Sequence, residues 1–191
     1  MRVLGIDPGT LSTGYGVVEA KGEKLEAVVW GAIRSSARSP LPLRLKAIQE
    51  GLEEVIRRNS PRAAAVEDLF FARDARAALK LGHARGVAIV AAARSGIEVV
   101  TYSSLAVKQA IVGYGRAEKQ QVQAMVAALL HLNELPQPED ASDALALAIC
   151  HLHSLKTEWR RFSREGSITP RPDQAGMRFS SGSRGKPVDN F

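Results

Sequence analysis

The chain has 191 residues, 45% of them hydrophobic and 24% charged, a composition that suits one globular domain with a buried core. No apolar run approaches the ~20 residues of a membrane-spanning helix, and a single cysteine, Cys150, excludes an internal disulfide. Lys and Arg outnumber Asp and Glu by 26 to 20, a net +6, which is compatible with a polyanionic partner such as nucleic acid.

The amino terminus, MRVLGIDPGT, reads as a strand from its second residue, which argues against a cleaved secretory leader and predicts a cytoplasmic protein. Strands are predicted over 2–7, 14–19 and 25–33, each rich in Val, Ile, Tyr or Trp. Short turns at Pro8-Gly9-Thr10 and Lys21-Gly22-Glu23 imply an antiparallel meander. An amphipathic helix follows over 42–58, with Leu45, Ile48, Leu52, Val55 and Ile56 on one face. A short apolar strand over 63–67 precedes a helix over 74–94. Leu79, Gly82, Gly86 and Val90 form a stripe on that helix, and its glycines imply close approach of another backbone, either a second copy or the sheet. A fifth strand over 97–101 leads to helices over 104–111, 118–132 and 140–155. The order predicts an α/β fold, a mixed five-stranded sheet flanked by helices. Beyond Phe162 periodicity fails and Gly, Pro and Ser accumulate. The reading is a domain over 1–155 and a flexible basic tail over 156–191. Residues 154–191 hold eight basic and four acidic side chains, so most of the net charge lies there.

Four acidic residues occupy places where a structural role alone calls for apolar side chains or turns. Asp7 ends the first strand and Glu67 the fourth, with Asp68 beside it as a competitor that strand alternation cannot reject. Asp140 and Asp143 open the last helix three residues apart, which puts them on one face. Each has an ordinary explanation alone, as a turn residue or a helix cap. Gathered at the edge of a core, such carboxylates repel one another and lose hydration unless a divalent cation sits among them. A pair of Mg²⁺ ions ~3.5–4 Å apart activates water and stabilises the leaving oxygen in phosphodiester cleavage. Asp7, on a central strand, is the natural bridge.

The segments Ile6-Asp7-Pro8-Gly9 with Thr13-Gly14-Tyr15-Gly16, Val66-Glu67-Asp68-Leu69-Phe70, Ala78 to Gly82 with Ala84 to Ala88, Val107-Lys108-Gln109 through Ala117-Glu118-Lys119, and Asp140 to Ala146 together resemble the bacterial RuvC Holliday-junction resolvases. They span residues 1 to about 155 in the family's order. The resemblance implies a ribonuclease H-like fold and symmetric nicks in two strands of like polarity at a four-way DNA junction, in recombination and repair. It places the metal-binding acids at Asp7, Glu67, Asp140 and Asp143, choosing Glu67 over Asp68. It places an aromatic that engages unstacked bases at Phe70, with Phe71 the better core residue, and phosphate-contacting lysines at Lys108 and Lys119. It further implies Mg²⁺, two ions per subunit with Mn²⁺ as a substitute, a homodimer, and RuvA and RuvB branch-migration partners.

Two rivals share the topology. The turn Asp7-Pro8-Gly9-Thr10 also resembles the first phosphate loop of actin-like and sugar-kinase ATP-binding proteins, which need two such domains. A smaller RuvC-related nuclease family acts on ribosomal RNA precursors; the Phe70 and Lys108–Lys119 segments favour the resolvase. His151 and His153, two residues apart on a helix, do not share a face, and His83 and His131 have no companion ligands, so no histidine metal site is expected.

Overall fold

Asp7 and Glu67 owe their positions to two parallel strands at the middle of a five-stranded sheet. The structure, a computed structural model, describes residues 1–68 and 75–165, the last eight of these as helical backbone alone. The elements are β1 (Arg2–Asp7), β2 (Ser12–Lys21), β3 (Lys24–Arg34), α1 (Leu41–Asn59), β4 (Ala63–Glu67), α2 (Ala75–Arg94), β5 (Glu98–Tyr102), α3 (Ser104–Val112), α4 (Lys119–Leu129) and α5 (Glu139–Glu165). The sheet order is β3-β2-β1-β4-β5. The first three strands pair antiparallel, and β4 and β5 add in parallel beside β1. This is the mixed sheet, meander first, that the sequence predicts. A compact unit spans Met1–Thr157.

Alternation along the strands divides the core in two. Leu4, Ile6, Val17, Ala64 and Val66 face α1 and α2, meeting Ile48, Leu52 and Ile56 of the first and Ala84, Ala88, Ala91 and Ala92 of the second. Val3, Val18 and Ala65 face the other way, toward α3, α4 and α5. The two faces are therefore covered by different chain segments, α1 and α2 on one and the last three helices on the other.

Glycines determine how closely α5 lies on the sheet. A Cβ on Gly5 would stand 1.8 Å from the Ala144 carbonyl oxygen, and one on Gly14 would stand 2.0 Å from that of Asp140. Ala141, Ala144 and Ala148 are fully buried beneath. Any larger side chain at Gly5 or Gly14 would lift the amino-terminal half of α5 off the strands.

Two expectations change. The stripe on α2 is not packed against the sheet: Leu79 and Val90 are 65% and 50% exposed, and a Cβ on Gly86 would meet nothing within 4 Å. Alanines take the inward face instead, because small side chains let α2 approach α1 and β4. The last helix also continues past the predicted end at 155 to Glu165. The basic stretch from residue 166 lies outside the described residues.

Candidate active site

The site forms where the carboxyl ends of β1 and β4 meet the amino end of α5. Ile6 lies opposite Val66 in the parallel pairing, so Asp7 and Glu67 are the next residues along. They end side by side on the face that α5 covers. Asp140 stands in the first turn of α5, its carbonyl against Gly14, and Asp143 is one turn further. The Ser12 hydroxyl donates a hydrogen bond to Asp140 Oδ2, tying the start of β2 to the helix.

The electrostatics reflect how closely the four acids converge. Asp7 has its pKa pushed up from 3.8 to about 8, first by burial and then by the charges of Glu67, Asp143 and Asp140. The proton it retains is hydrogen-bonded to Glu67. Glu67 is itself raised, by burial and by the Asp143 charge, although the bond from Asp7, the Lys119 ammonium and the Ser104 hydroxyl pull it back. Burial raises Asp143 too, against the pull of Lys119. Lys119 Nζ lies 3.1 Å from both Asp143 Oδ2 and Glu139 Oε2. Burial opposes its charge, but these two carboxylates hold it above the ordinary lysine range.

Glu67 and Asp143 open onto a cleft of about 210 Å³ whose other lining residues include Lys108, Lys119, Val107, Val122 and Leu147. Both predicted lysines thus stand beside the acids. Asp68, the competitor of Glu67, turns away and pairs with Arg85 of α2 at 3.1 Å. Arg85 Nε also donates to the Glu67 carbonyl at 3.0 Å, pinning the strand end from the opposite face. Phe70 and Phe71 lie outside the described residues. Ser12, Ser104 and Glu139 join the site without any sign in the sequence. The hydroxyls carry no pattern in one sequence, and an acidic residue in a helix's first turn reads as a partner for the helix dipole.

His151 and His153 behave as expected of structural residues. His151 is buried and bonded to the Tyr102 hydroxyl, and His153 Nδ1 reaches the Ala110 carbonyl. Cys150 is buried, its thiol pushed up to about 11 by desolvation.

The acids suit a hard cation better than a soft one. Among the described residues, no three His, Cys, Asp or Glu side chains form a ready-made metal cage. Mg²⁺ and its relatives bind through one or two carboxylates, keep water, and take phosphate as a further ligand. A site that offers carboxylates and the Ser12 and Ser104 hydroxyls fits that habit.

The profile of the family described as "Crossover junction endodeoxyribonuclease RuvC" matches residues 3–151. The chain belongs to this family. The RuvC crossover junction endodeoxyribonuclease of Koribacter versatilis is 53% identical over 165 residues, 86% of this chain and 99% of the relative. That of Desulforamulus reducens is 53% identical over 151 residues, 79% of this chain and 93% of the relative. Among solved structures, Thermus thermophilus RuvC in complex with a Holliday junction substrate superposes with a TM-score of 0.76 at 36% identity, covering 82% of this chain and 96% of that one. The yeast mitochondrial Holliday junction resolvase Ydc2 shares the fold, with a TM-score of 0.58 at 12% identity and 86% of each chain covered. RuvC-family nucleases are metal-dependent. Among the described residues no helix is long and apolar enough to cross a membrane.

Proposed function

We propose that this chain resolves four-way DNA junctions by metal-dependent nicks in two strands of like polarity, as a homodimer, in the cytoplasm where recombining DNA lies. Support comes from the family match across residues 3–151 and from the T. thermophilus relative bound to a Holliday junction. The observation that carries the chemistry is Asp7. It ends β1 beside Glu67 at the end of β4, under the first turn of α5 that bears Asp140 and Asp143, a gathering of buried acids that is costly for a merely structural site and useful for cations.

Asp7, Glu67, Asp140 and Asp143 are the residues that would hold two Mg²⁺ ions, with Ser12 orienting Asp140. Bound there, the ions supply an activated water and neutralise charge on the phosphate. Lys108 and Lys119 face the same cleft and draw the phosphate backbone toward the acids. Phe70 engages the unstacked bases at the junction centre, a stacking contact worth ~1–3 kcal/mol. The exposed α2 stripe of Leu79, Gly86 and Val90 is the surface for the second subunit, which two-fold symmetry requires for paired cuts. RuvA and RuvB are the partners that the family likeness suggests.

The test is cleavage of a mobile four-way DNA junction with and without Mg²⁺, mapping nicks on all four strands. Paired nicks at symmetric positions, dependent on metal, are expected. Preferred cleavage of structured RNA would transfer the chain to ribosomal RNA processing. Stabilisation by ATP and Mg²⁺ without nicking would favour the kinase-like reading, which the family match does not support.

A further inference from the structure

The amino half of α5 meets the sheet through an unusually smooth surface. Gly5, Gly14 and Gly16 on the strands face Ala141, Ala144, Leu145 and Ala148 on the helix. Interdigitating side chains are what normally fix one element against sliding along another. Apart from Leu145 against Gly16, these glycine and alanine faces allow close approach and provide few knobs, so polar ties along α5, Ser12 to Asp140 at its start among them, share in setting its axial position. That position matters, because it decides how far Asp143 stands from Glu67.

A polar tie lies further along the same helix. The Tyr102 hydroxyl is 2.8 Å from His151 Nδ1 and 2.9 Å from Ser154 Oγ. The Tyr102 and His151 rings pack with centroids 5.9 Å apart. His151 is only 4% exposed, and a hydrogen bond at that depth is costly to lose. At its other end the tie reaches the metal-site strand. Tyr102 stands opposite Glu67 in the β4–β5 pairing, and its carbonyl accepts from the Asp68 amide at 2.8 Å. His151 lies two turns beyond Asp143 on one face, ~12 Å along the axis.

We infer that the Tyr102–His151 hydrogen bond is a positioning device for the metal site. It pins α5 lengthwise against the β4–β5 edge and so sets the separation of Asp143 from Glu67. Neither residue lines the cleft, and neither touches substrate; both act through the carboxylates. The inference rests on the reading of the four acids as a metal site.

The test compares wild type with Tyr102→Phe, His151→Leu and His151→Asn. The asparagine retains a polar atom at the δ position and so the bond to Tyr102. Two midpoints are measured: Mn²⁺ titration followed by thermal unfolding without DNA, and Mn²⁺ titration of junction nicking. Tyr102→Phe and His151→Leu should raise both midpoints roughly tenfold, the usual scale for losing a partner that orients metal ligands. Nicking at saturating Mn²⁺ and metal-free junction binding should stay near wild type. The double variant Tyr102→Phe with His151→Leu should be no worse than either single one, and His151→Asn should restore the wild-type midpoint. Ile56→Val, a core truncation on the opposite face of the sheet, controls for lost stability and should leave both midpoints unmoved. Unchanged midpoints in Tyr102→Phe overturn the inference, as does an Ile56→Val shift of equal size, or a His151→Asn midpoint as high as that of His151→Leu. A wild type that shows no Mn²⁺-dependent stabilisation overturns the metal-site reading itself.

Discussion

Replacing Asp7 by asparagine should make the metal-free protein more stable while destroying its activity. Asparagine has the shape of a protonated aspartate without its ability to ionise. In the native state Asp7 titrates at about 8 instead of 3.8, so folding favours the protonated form. Below about pH 4 the carboxyl is neutral in both folded and unfolded chains, and its contribution to stability is fully present. As pH rises toward about 8 the unfolded chain ionises freely and the native state does not, so stability is lost across that window. At about 1.4 kcal/mol for each pH unit, the full gap sets a ceiling of about 6 kcal/mol. The four acids titrate as a coupled set, and removing one charge lets Glu67 and Asp143 ionise more readily, so the recovered part is smaller. An increase of ~1–3 kcal/mol near neutral pH is expected, or roughly 2–4 °C in Tm for each kcal/mol in a chain of this size.

Thermal unfolding in EDTA from about pH 4 to about pH 9 measures this directly. Asp7→Asn should match wild type at the acid end and pull ahead as pH rises. Millimolar Mn²⁺ should then stabilise wild type and not the variant, narrowing or reversing the order. Junction nicking should be abolished, and metal-free junction binding should be equal below about pH 8, where Asp7 already carries its proton, and tighter only above it, where the wild-type carboxyl ionises. A variant less stable than wild type in EDTA near pH 8, or a gain that does not vary with pH, would refute the reasoning and make Asp7 an ordinary structural residue.

Four further outcomes are expected. Because cation binding must displace the proton on Asp7, the apparent Mn²⁺ affinity should rise with pH up to about 8 and level off above it, as calorimetry can follow. Phe70→Ala should bind junctions normally yet resolve them poorly in single-turnover assays; unchanged cleavage would assign Phe70 to the core. Val90→Arg, on the exposed α2 stripe, should shift sedimentation toward monomer without lowering the Tm of the subunit. Truncation after Glu165 removes four basic and two acidic residues; it should leave nicking at saturating enzyme intact and make the log–log salt dependence of binding shallower, by about 0.9 for each phosphate that the tail neutralises.

The strands were readable because their residues announce themselves locally. β1 and β4 have the predicted bounds, since a charged residue ends each apolar run and a turn or break follows. The carboxylate pair on α5 was readable from helical spacing alone. What strand alternation could not decide, and only the family resemblance chose, was direction. Glu67 and Asp68 are adjacent and chemically alike, and only the parallel register with β1 turns Glu67 toward Asp7 while Arg85 takes Asp68. The same limitation applies to the inward face of α2. Leu79 and Val90 outrank alanine on any hydrophobicity scale, yet close packing favoured the smaller residues and left the larger ones outside. Ser12 and Tyr102 were invisible because each acts on a residue more than forty positions away.

Lys119 shows why the acid cluster can persist without metal and still yield to it. Its ammonium sits 3.1 Å from Asp143 and is half exposed, a setting in which an ion pair contributes ~0–1 kcal/mol. That offsets part of the burial cost at Asp143 and is too little to resist a divalent ion or a phosphate arriving at the cleft. It does nothing comparable for Asp7, whose carboxyl is perturbed first by burial and then by the charges of the other acids. The electrostatic cost therefore concentrates on the one carboxyl between β1 and the helix. On the proposed reading a cation held by Asp7 and Asp143 would offset that cost, and an incoming phosphate would give Lys119 a new partner. Metal and DNA backbone thus relieve opposite halves of the same imbalance, and each should bind more tightly in the presence of the other.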